Sequence, residues 1–569
     1  MCVWKIVIRF LRPHSRLALL APFLVLVEVG SEMLQPMLMA RIVNDGIVSR
    51  QASVILPTGA MMFLLTMIGS IGGILSIHAA GKVSYRMAAD MRRFLFRHVH
   101  RLPFSAIDRL QTGSIITRLT DDVTRVQQLV QASMRLLFRA PAVFVGAVLM
   151  TFSFNVKVAF VMLCVAPILL LFIFVLLKRT IPLYSVVQKK MDDTNSFLHE
   201  LLSGIRVMKT YTGELLELSR FSKLCRCFTA SSLMVSRRMV LLTPIVSFLI
   251  DLCTLSILWI GGYEAVAGRM NIGDVMACTN YMAKIMMSML MASHIFIDIS
   301  QADASLIRLN EIIEEPEESD DENNNLTLHD ADLVFSQVCF SYDSTRNVLD
   351  EVSFVLPYGK TLAIVGTTGS GKSTLVSLLL RYYEVQSGLI EIGGFPLQKV
   401  NRHVLRHYVG VVDQNVQLFK GTVASNLRMG RPDATDEELW RACELAEISD
   451  FLRKMPEELD YQVEQNGYNL SGGQKQRIGL ARTLLIHPSI LIVDNGLCAV
   501  DTLTSERIWS NIKSLSCSRI IVAQRVDNVR WADLLLFMHD NGKADFGPYT
   551  EMSAGINSIQ GGEEVTNAN

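Results

Sequence analysis

The first half of the chain carries six long apolar stretches, at residues 17–40, 54–77, 136–155, 158–178, 240–265 and 272–299. A helix crosses the hydrocarbon core of a bilayer with about 20 apolar residues, so each stretch is long enough to span. The expectation is an α-helical membrane domain with six transmembrane helices. Connections are short after the first, third and fifth stretches and long between 77 and 136 and between 178 and 240. The first long connection holds Arg86, Arg92, Arg93, Arg97, Arg101, Arg109 and Arg118. Positive charge marks the cytoplasmic side, which predicts a multi-pass protein of the cell membrane with both termini inside.

Both long connections keep a helical apolar rhythm. In MRRFLFRHVHRL, Phe94, Val99 and Leu102 are spaced for one face while Arg and His take the other. The membrane helices are therefore expected to run far into the cytoplasm and return. Two tips, LQTGSIITRLTDDV around Gly113 and HELLSGIRVMKTY around Gly204, read either as docking elements or as ordinary helix-turn-helix corners.

Composition agrees with a membrane protein: half of the 569 residues are hydrophobic, and mean hydropathy is +0.32. A formal net charge of zero offers nothing global to nucleic acid, and no nucleic-acid partner is expected. Ten cysteines lack paired metal spacing, Cys225 and Cys227 being the nearest pair; all are read as free thiols. The opening MCVWKIVIRFLRPHSR has no signal-peptide cleavage site and fits an amphipathic helix on the inner membrane face.

Ionisable groups inside a membrane helix are costly and face the bundle or a cavity. Glu28 and Glu32 share one face of the first helix, with Gln35 nearby. They read as an attractor for cationic amphipathic substrates or as a structural pair with a basic or amide neighbour. Asp251, Lys284, His294 and Asp298 are weaker cases of the same kind. Met276, Met282, Met286, Met287, Met289 and Met291 suit a surface that repacks around many ligands or serve as plain filler.

After Arg308 the run EIIEEPEESDDENNN is acidic, with a Pro and an Asn tract. It divides the chain into a membrane domain at 1–314 and a linker at 315–330. From residue 331 to 555 shorter apolar runs alternate with helical patterns, predicting an α/β domain with a mainly parallel sheet. Residues 556–569 read as a frayed polar tail.

TLAIVGTTGSGKST is a strand, a Gly-rich turn and a helix start. Gly366, Thr367, Thr368, Gly369, Ser370, Gly371, Lys372, Ser373 and Thr374 form a P-loop pattern. Glycines let backbone N–H groups face phosphates, Lys372 reaches the β and γ oxygens, and Ser373 ligates magnesium. The helix start adds a favourable dipole. ATP and Mg2+ are the expected cofactors. Alone, the pattern also suits a plain strand-turn-helix. ILIVD, ending on Asp494, reads as a buried strand delivering a carboxylate to the metal. The next residue, where a base for the attacking water is expected, is Asn495.

The order of the remaining motifs decides the matter. Gln414 follows a strand in VVDQNVQLF, NLSGGQKQRIGLAR begins at Asn469, and IIVAQR begins at Ile520. In this order the motifs resemble the nucleotide-binding domain of ABC transporters. Gly366 to Thr374 match Walker A, Gln414 the Q-loop, Leu470, Ser471, Gly472, Gly473 and Gln474 the signature, Asp494 the end of Walker B, and Asp501 the D-loop aspartate. Tyr342 sits where the family stacks an aromatic on adenine. The membrane half resembles the six-helix exporter domain, so the resemblance covers nearly the whole chain. It implies metal ligation by Ser373, Gln414 and Asp494, a signature that closes over ATP held by a second domain, and two coupling helices at the cytoplasmic tips.

The family normally has a glutamate after the Walker B aspartate and a histidine at the γ-phosphate; here Asn495 and Gln524 stand there. An amide takes no proton and Gln524 cannot become cationic. The chain's own P-loop is therefore expected to bind ATP and hydrolyse it slowly. Four readings follow: a heterodimeric exporter subunit lending its LSGGQ to a partner, a homodimer of unusual catalysis, a chain mutated to trap ATP, or a non-transporting membrane sensor or gated channel. An importer of the same architecture is the alternative direction. Asn495 with Gln524, together with SIITRLTDDVTRVQQLV and MARIVNDGIVSR, resembles the degenerate subunit of bacterial heterodimeric multidrug exporters. That favours the first reading. The implied partners are a second, different half-transporter, the lipid bilayer and a small amphipathic substrate. Such subunits commonly keep an acid after Walker B, so Asn495 goes further than its relatives. Gln465 in YQVEQNG stands where exporters tend to have a glutamate in the loop touching the partner's coupling helix.

Overall fold

The computed structural model describes residues 4–318, 331–342, 346–524 and 526–553. The expected tail at 556–569 and most of the acidic linker lie outside the described residues. Two compact units emerge. One comprises the chain up to Arg101 and Leu110–Glu315, and the other Leu102–Arg109 and the chain from Pro316 onward.

The first unit is helical. After a short α1 (Trp4–Leu11) come α2 (Ser15–Arg41), α3 (Ala52–Val99), the short α4 (Phe104–Leu110), all but the last residue of which belongs to the second unit, then α5 (Thr112–Thr117) and α6 (Val123–Phe154). Then follow α7 (Val156–Ser203), the short α8 (Ile205–Thr210), α9 (Glu214–Val240), α10 (Leu242–Val266) and α11 (Ile272–Glu314). Each of the six apolar stretches falls in a separate long helix. Among the described residues, four helical spans combine the length and apolar composition to cross a membrane: Trp4–Val48, Ala52–Val99, Thr112–Phe154 and Ser247–Val266. α3 and α7 each run for 48 residues, about 70 Å at 1.5 Å per residue and roughly twice the hydrocarbon thickness.

Local chemistry sets the corners. Asn155 is extended between α6 and α7, and its side chain accepts from Lys157 N and Val158 N. Asn271 and Asp274 form a capping box that starts α11. α2 and α3 lie close because small residues line their contact: a Cβ on Gly69 would meet Ser31 Cβ at 3.1 Å. Ser76 Oγ also donates to the Ala21 carbonyl at 3.2 Å.

The buried line of α3 differs from the expected one. Met91, Leu95 and His98 face inward, whereas Phe94 and Val99 are half-buried. His98 turns in because its ring reaches the Ile312 carbonyl at 2.9 Å, which satisfies a polar ring in a buried position.

The docking tip also differs. The segment that joins the second unit is Leu102–Arg109, ahead of the LQTGSIITRLTDDV expected for that role. Gln111, at φ 60°, ends α4, and the following residues continue through α5 and a π-helical turn, Arg118–Asp122, into α6. A buried polar knot holds that turn. Asp122, 1% exposed, accepts from Arg308 and, at 2.9 Å, from Ser305 Oγ. Arg118 donates to the Arg308 carbonyl at 2.8 Å and pairs with Glu311 at 2.7 Å. Breaking a buried pair costs about 3–5 kcal/mol, but the Arg308 side chain is 40% exposed and partly screened. Asp122→Ala is expected to destabilise by about 2 kcal/mol, read as a lower Tm in detergent; an unchanged Tm would show the knot to be decorative.

The second unit holds two larger sheets. Its strands are β1 (Leu333–Phe340), β2 (Leu349–Leu356), β3 (Thr361–Gly366), β4 (Ser387–Ile392), β5 (Phe395–Pro396), β6 (Val409–Val412), β7 (Gly421–Thr422), β8 (Gln462–Val463), β9 (Ile490–Asp494), β10 (Ser518–Ala523), β11 (Leu534–Met538) and β12 (Ala544–Pro548). Order β12-β11-β3-β10-β9-β6 makes the larger sheet; it is parallel except for β12, which runs antiparallel to β11. β3 and β10 are buried at every residue, as strands covered on both faces must be. The other sheet, β2-β1-β4-β5, is antiparallel, so the expected mainly parallel arrangement covers only part of the domain. β2 alternates buried and exposed positions, the pattern of a sheet with one wet face.

Helices α12 (Lys372–Leu379), α13 (Arg402–Tyr408), α14 (Val423–Leu427), α15 (Asp436–Leu445), α16 (Ser449–Leu452), α17 (Gly472–Leu484) and α18 (Thr502–Lys513) complete the unit. α12 gives Leu375, Leu378 and Leu379 to a core shared with both sheets. The turn before α12 is thereby fixed between them.

Candidate functional site

The turn from β3 to α12 carries the expected P-loop. Gly366 closes β3 where no side chain fits: a Cβ would lie 2.5 Å from the Met538 carbonyl oxygen. Gly371 precedes α12 at φ 98°, a left-handed conformation suited to glycine. A cavity of about 380 Å³ opens above the turn, lined by Tyr342, Val348, Thr368, Gly369, Gly371, Lys372, Ser373, Thr374, Gln414, Asn495 and Gln524. Gly366, Thr367 and Ser370 are not among its lining residues. Thr367 donates to the Asp540 carboxylate, and Ser370, 2% exposed, has a buried hydroxyl with no hydrogen-bond partner.

Lys372 is 8% exposed and donates to the Gly366 and Thr367 carbonyls at 2.8 and 2.5 Å. Its ammonium is thus curled onto its own loop, in reach of anionic oxygens placed there. Burial pulls it below the ordinary lysine pKa, against the charges of Asp494 and Asp540. Ser373 Oγ donates to Asp494 Oδ2 at 3.1 Å. Burial raises the Asp494 carboxyl above its ordinary value, while Ser373 and Lys372 pull the other way. Two hard oxygen donors side by side, with the Gln414 amide in the same cavity, suit a magnesium ion. The Gly-rich turn, the buried ammonium and this donor set fit a magnesium–nucleoside triphosphate.

Tyr342 bounds the other end. It is 55% exposed, and its hydroxyl shares a 3.1 Å hydrogen bond with Thr374 Oγ1. Its ring meets Tyr383 edge-on at 5.1 Å. Tyr383 donates to the Asp108 carboxylate, and Phe104 stacks on Tyr382 at 4.6 Å. Leu102–Arg109 is thus held by aromatic residues next to the cavity, contacts that spacing along the chain does not reveal.

The signature lies outside this cavity. Ser471 caps α17 through a capping box with Gln474: its backbone N donates to Gln474 Oε1 at 2.8 Å, and its Oγ accepts from Gln474 N at 3.3 Å. A Cβ on Gly473 would sit 2.6 Å from the Ala499 carbonyl oxygen, so the signature glycines press against the loop to Asp501. Leu470 is buried and Gly472 is partly covered by Ala499. Asp501 caps α18 by accepting from Thr504 N at 3.0 Å, a bond that holds its carboxyl below the ordinary range. Gln476, which motif reading passes over, links the regions: it donates to the Gln414 carbonyl at 3.4 Å and accepts from Ala499 N at 3.0 Å. Gln465 is exposed.

In the first unit both membrane acids have basic neighbours. Arg139 donates to Glu28 at 2.5 Å and to Glu32 at 2.8 Å, Lys284 pairs with Glu32 at 2.8 Å, and Arg135 lies 3.6 Å from Glu28. The two acids are answered by three bases, which is the structural-pair alternative. Gly73 makes room for them, since a Cβ there would meet the Glu28 carboxyl at 3.1 Å. Of the other expected polar groups, Asp251 is exposed and Asp298 half-buried; the side chains of His294 and Met289 lie outside the described residues. Met282 and Met286 are core filler, whereas Met276, Met287 and Met291 are exposed.

Comparison with known proteins finds two family profiles on this chain, ABC transporter transmembrane region at residues 18–290 and ABC transporter at 349–497. Relatives match over nearly full length. The ABC transporter ATP-binding protein YfiB of Bacillus subtilis is 34% identical over 544 residues, 95% of each chain. The ATP-dependent lipid A-core flippase of Pectobacterium atrosepticum is 27% identical over 538 residues, 94% of this chain and 92% of that one. Among solved structures, a bacterial Atm1-family ABC exporter with ATP bound has the same fold, with a TM-score of 0.82 at 22% identity, covering 95% of this chain and 96% of that one.

Proposed function

The chain belongs to the ABC transporter family, with its transmembrane region, its ATP-binding domain and an exporter fold, and on that premise we propose that it is the degenerate half of a heterodimeric exporter in a bacterial cell membrane. The domain limits are 1–314 for the membrane domain, 315–330 for the linker, 331–555 for the ATPase domain and 556–569 for the tail. Six helices cross the bilayer, with both termini and the ATPase domain in the cytoplasm. The cargo is a small amphipathic molecule.

One observation carries the reading: Asn495 and Gln524 line the same cavity as Lys372, Ser373 and Gln414. That shared lining supports reading Asn495 and Gln524 as the catalytic positions, whose side chains here are amides. Lys372 and the loop amides hold the triphosphate, Tyr342 stacks on the base, and Ser373, Asp494 and Gln414 hold magnesium. Bound magnesium neutralises charge on the phosphates. Asn495 can orient a water but cannot accept its proton. ATP exporters work as dimers, and the separation of Ser471 from this chain's own cavity supports a signature that serves the partner's site. There the partner's own glutamate carries out hydrolysis.

Mg-ATP turnover in lipid nanodiscs tests this. The chain alone is expected to bind a fluorescent ATP analogue with near-zero turnover, to lose binding with Lys372→Ala, and to gain turnover when co-expressed with the correct second half-transporter. Brisk turnover by the chain alone, abolished by Lys372→Ala, would sink the degenerate-subunit reading in favour of a homodimer.

A further inference from the structure

The ATPase unit holds a second cavity, of about 410 Å³, whose lining residues all differ from those of the nucleotide cavity. Its volume falls within the roughly 300–1,000 Å³ of small-molecule sites. One wall is α15, where Glu438, Arg441, Ala442 and Leu445 follow the spacing of a single helical stripe. The end of α17 and the turn before β9 bring Leu484, Leu485 and His487, and the turn before β10 brings Leu515, Ser516 and Cys517. Ala442, Leu484, Leu485 and Cys517 are each no more than 5% exposed, so the floor is apolar. Arg441, His487 and Ser516 are exposed at the rim. Glu438 does not offset Arg441, because both of its oxygens are engaged elsewhere: one pairs with Arg431 at 3.0 Å and the other accepts from the Thr435 backbone N at 2.8 Å. Arg441 itself has no acidic partner among the described residues. His487 follows α17 at φ 51°, a left-handed place more often taken by Gly or Asn, and adds a ring nitrogen able to donate.

We propose that this cavity binds a compact apolar carboxylate. The Arg441 guanidinium holds the carboxylate through paired N–H groups, His487 and the Ser516 hydroxyl donate from the rim, and the apolar body rests on Leu484, Leu485 and Cys517. One unanswered positive charge matches a carboxylate better than a doubly charged phosphate. A sugar or other polyhydroxyl ligand would lay hydroxyls on a floor that offers them no partners, a costly arrangement. The occupant touches the end of α17, the helix capped by Ser471, and so braces α15 against the signature helix.

The test is equilibrium dialysis of 2-naphthoate against the full chain in phosphatidylcholine nanodiscs, without ATP and corrected for empty discs, with 2-naphthylmethylammonium as the oppositely charged control. Saturable binding of the carboxylate alone is expected, with slower hydrogen exchange along α15 and at the end of α17 and no change in the P-loop. Arg441→Gln is expected to weaken binding about tenfold. Glu438→Gln keeps the capping box while removing a negative charge and freeing Arg431, so it is expected to tighten binding about threefold; a misfolded protein would not gain affinity. Ala442→Leu fills the cavity and is expected to abolish naphthoate binding while a fluorescent ATP analogue still binds, since the two cavities share no lining residue. Absence of saturable naphthoate binding, equal binding of the ammonium, or naphthoate binding that survives Ala442→Leu would overturn the proposal. Neither a partner nor hydrolysis enters the assay, so its failure leaves the pairing proposal standing.

Discussion

In the proposed complex with a second half-transporter, Ser471→Ala is expected to lower ATP turnover about 100-fold, the scale seen when one preorganised donor to developing charge is removed. Asn495→Ala is expected to change it less than about threefold, because an amide in that position was never the base. The contrast follows from placement. Ser471 sits at the start of α17 with its hydroxyl and the next amides at a helix N-terminus, an anion site, while the cavity of its own chain is built without it. Ser471 is also a helix cap worth about 1 kcal/mol, so a melting curve must accompany the assay; a modest loss of Tm cannot account for a 100-fold loss of turnover. Equal and small effects of both substitutions would remove the asymmetric reading.

The second large effect is a gain. Asn495→Glu with Gln524→His restores a base and an ionisable contact at the chain's own P-loop. General-base catalysis is worth about 100-fold or more, and turnover assigned to this site should rise by at least that factor, measured with the partner's site silenced. Asn495 has φ 47°, a left-handed conformation that Asn tolerates better than most side chains, and moving Glu into it costs about 1 kcal/mol. A slightly less stable, more active protein is therefore expected. A double variant that folds and stays silent would show that the defect lies beyond these two residues.

What could be read along the chain was whatever depends on neighbours in sequence. The P-loop is legible because Gly366, Gly371 and Lys372 must follow one another to make an anion-holding turn, and the membrane helices because length alone tests them. Long-range choices were not. Arg135 and Arg139 repeat the four-residue spacing of Glu28 and Glu32, a matching signal present in the sequence. It goes unnoticed when each helix is judged alone, so along the chain the choice between a cation attractor and a structural pair stays open. His98 looked like a wet residue until Ile312 offered it a carbonyl. The tip at Leu102–Arg109 could not be located without Tyr382 and Tyr383, which lie hundreds of positions later. The separate antiparallel sheet of β1, β2, β4 and β5 is not legible in the sequence because short apolar runs say little about strand direction.

The allocation of Leu102–Arg109 has a practical meaning for building hybrids. Those residues are encoded within the membrane half yet belong to the ATPase unit, with Phe104 and Asp108 matched to Tyr382 and Tyr383. A graft that swaps the ATPase domain at the acidic linker would separate the two halves of this fit, leaving a native tip against a foreign aromatic pair. Carrying the eight residues along as a second, discontinuous insert keeps the graft intact. The transplantable module of this protein is thus not a contiguous stretch of gene.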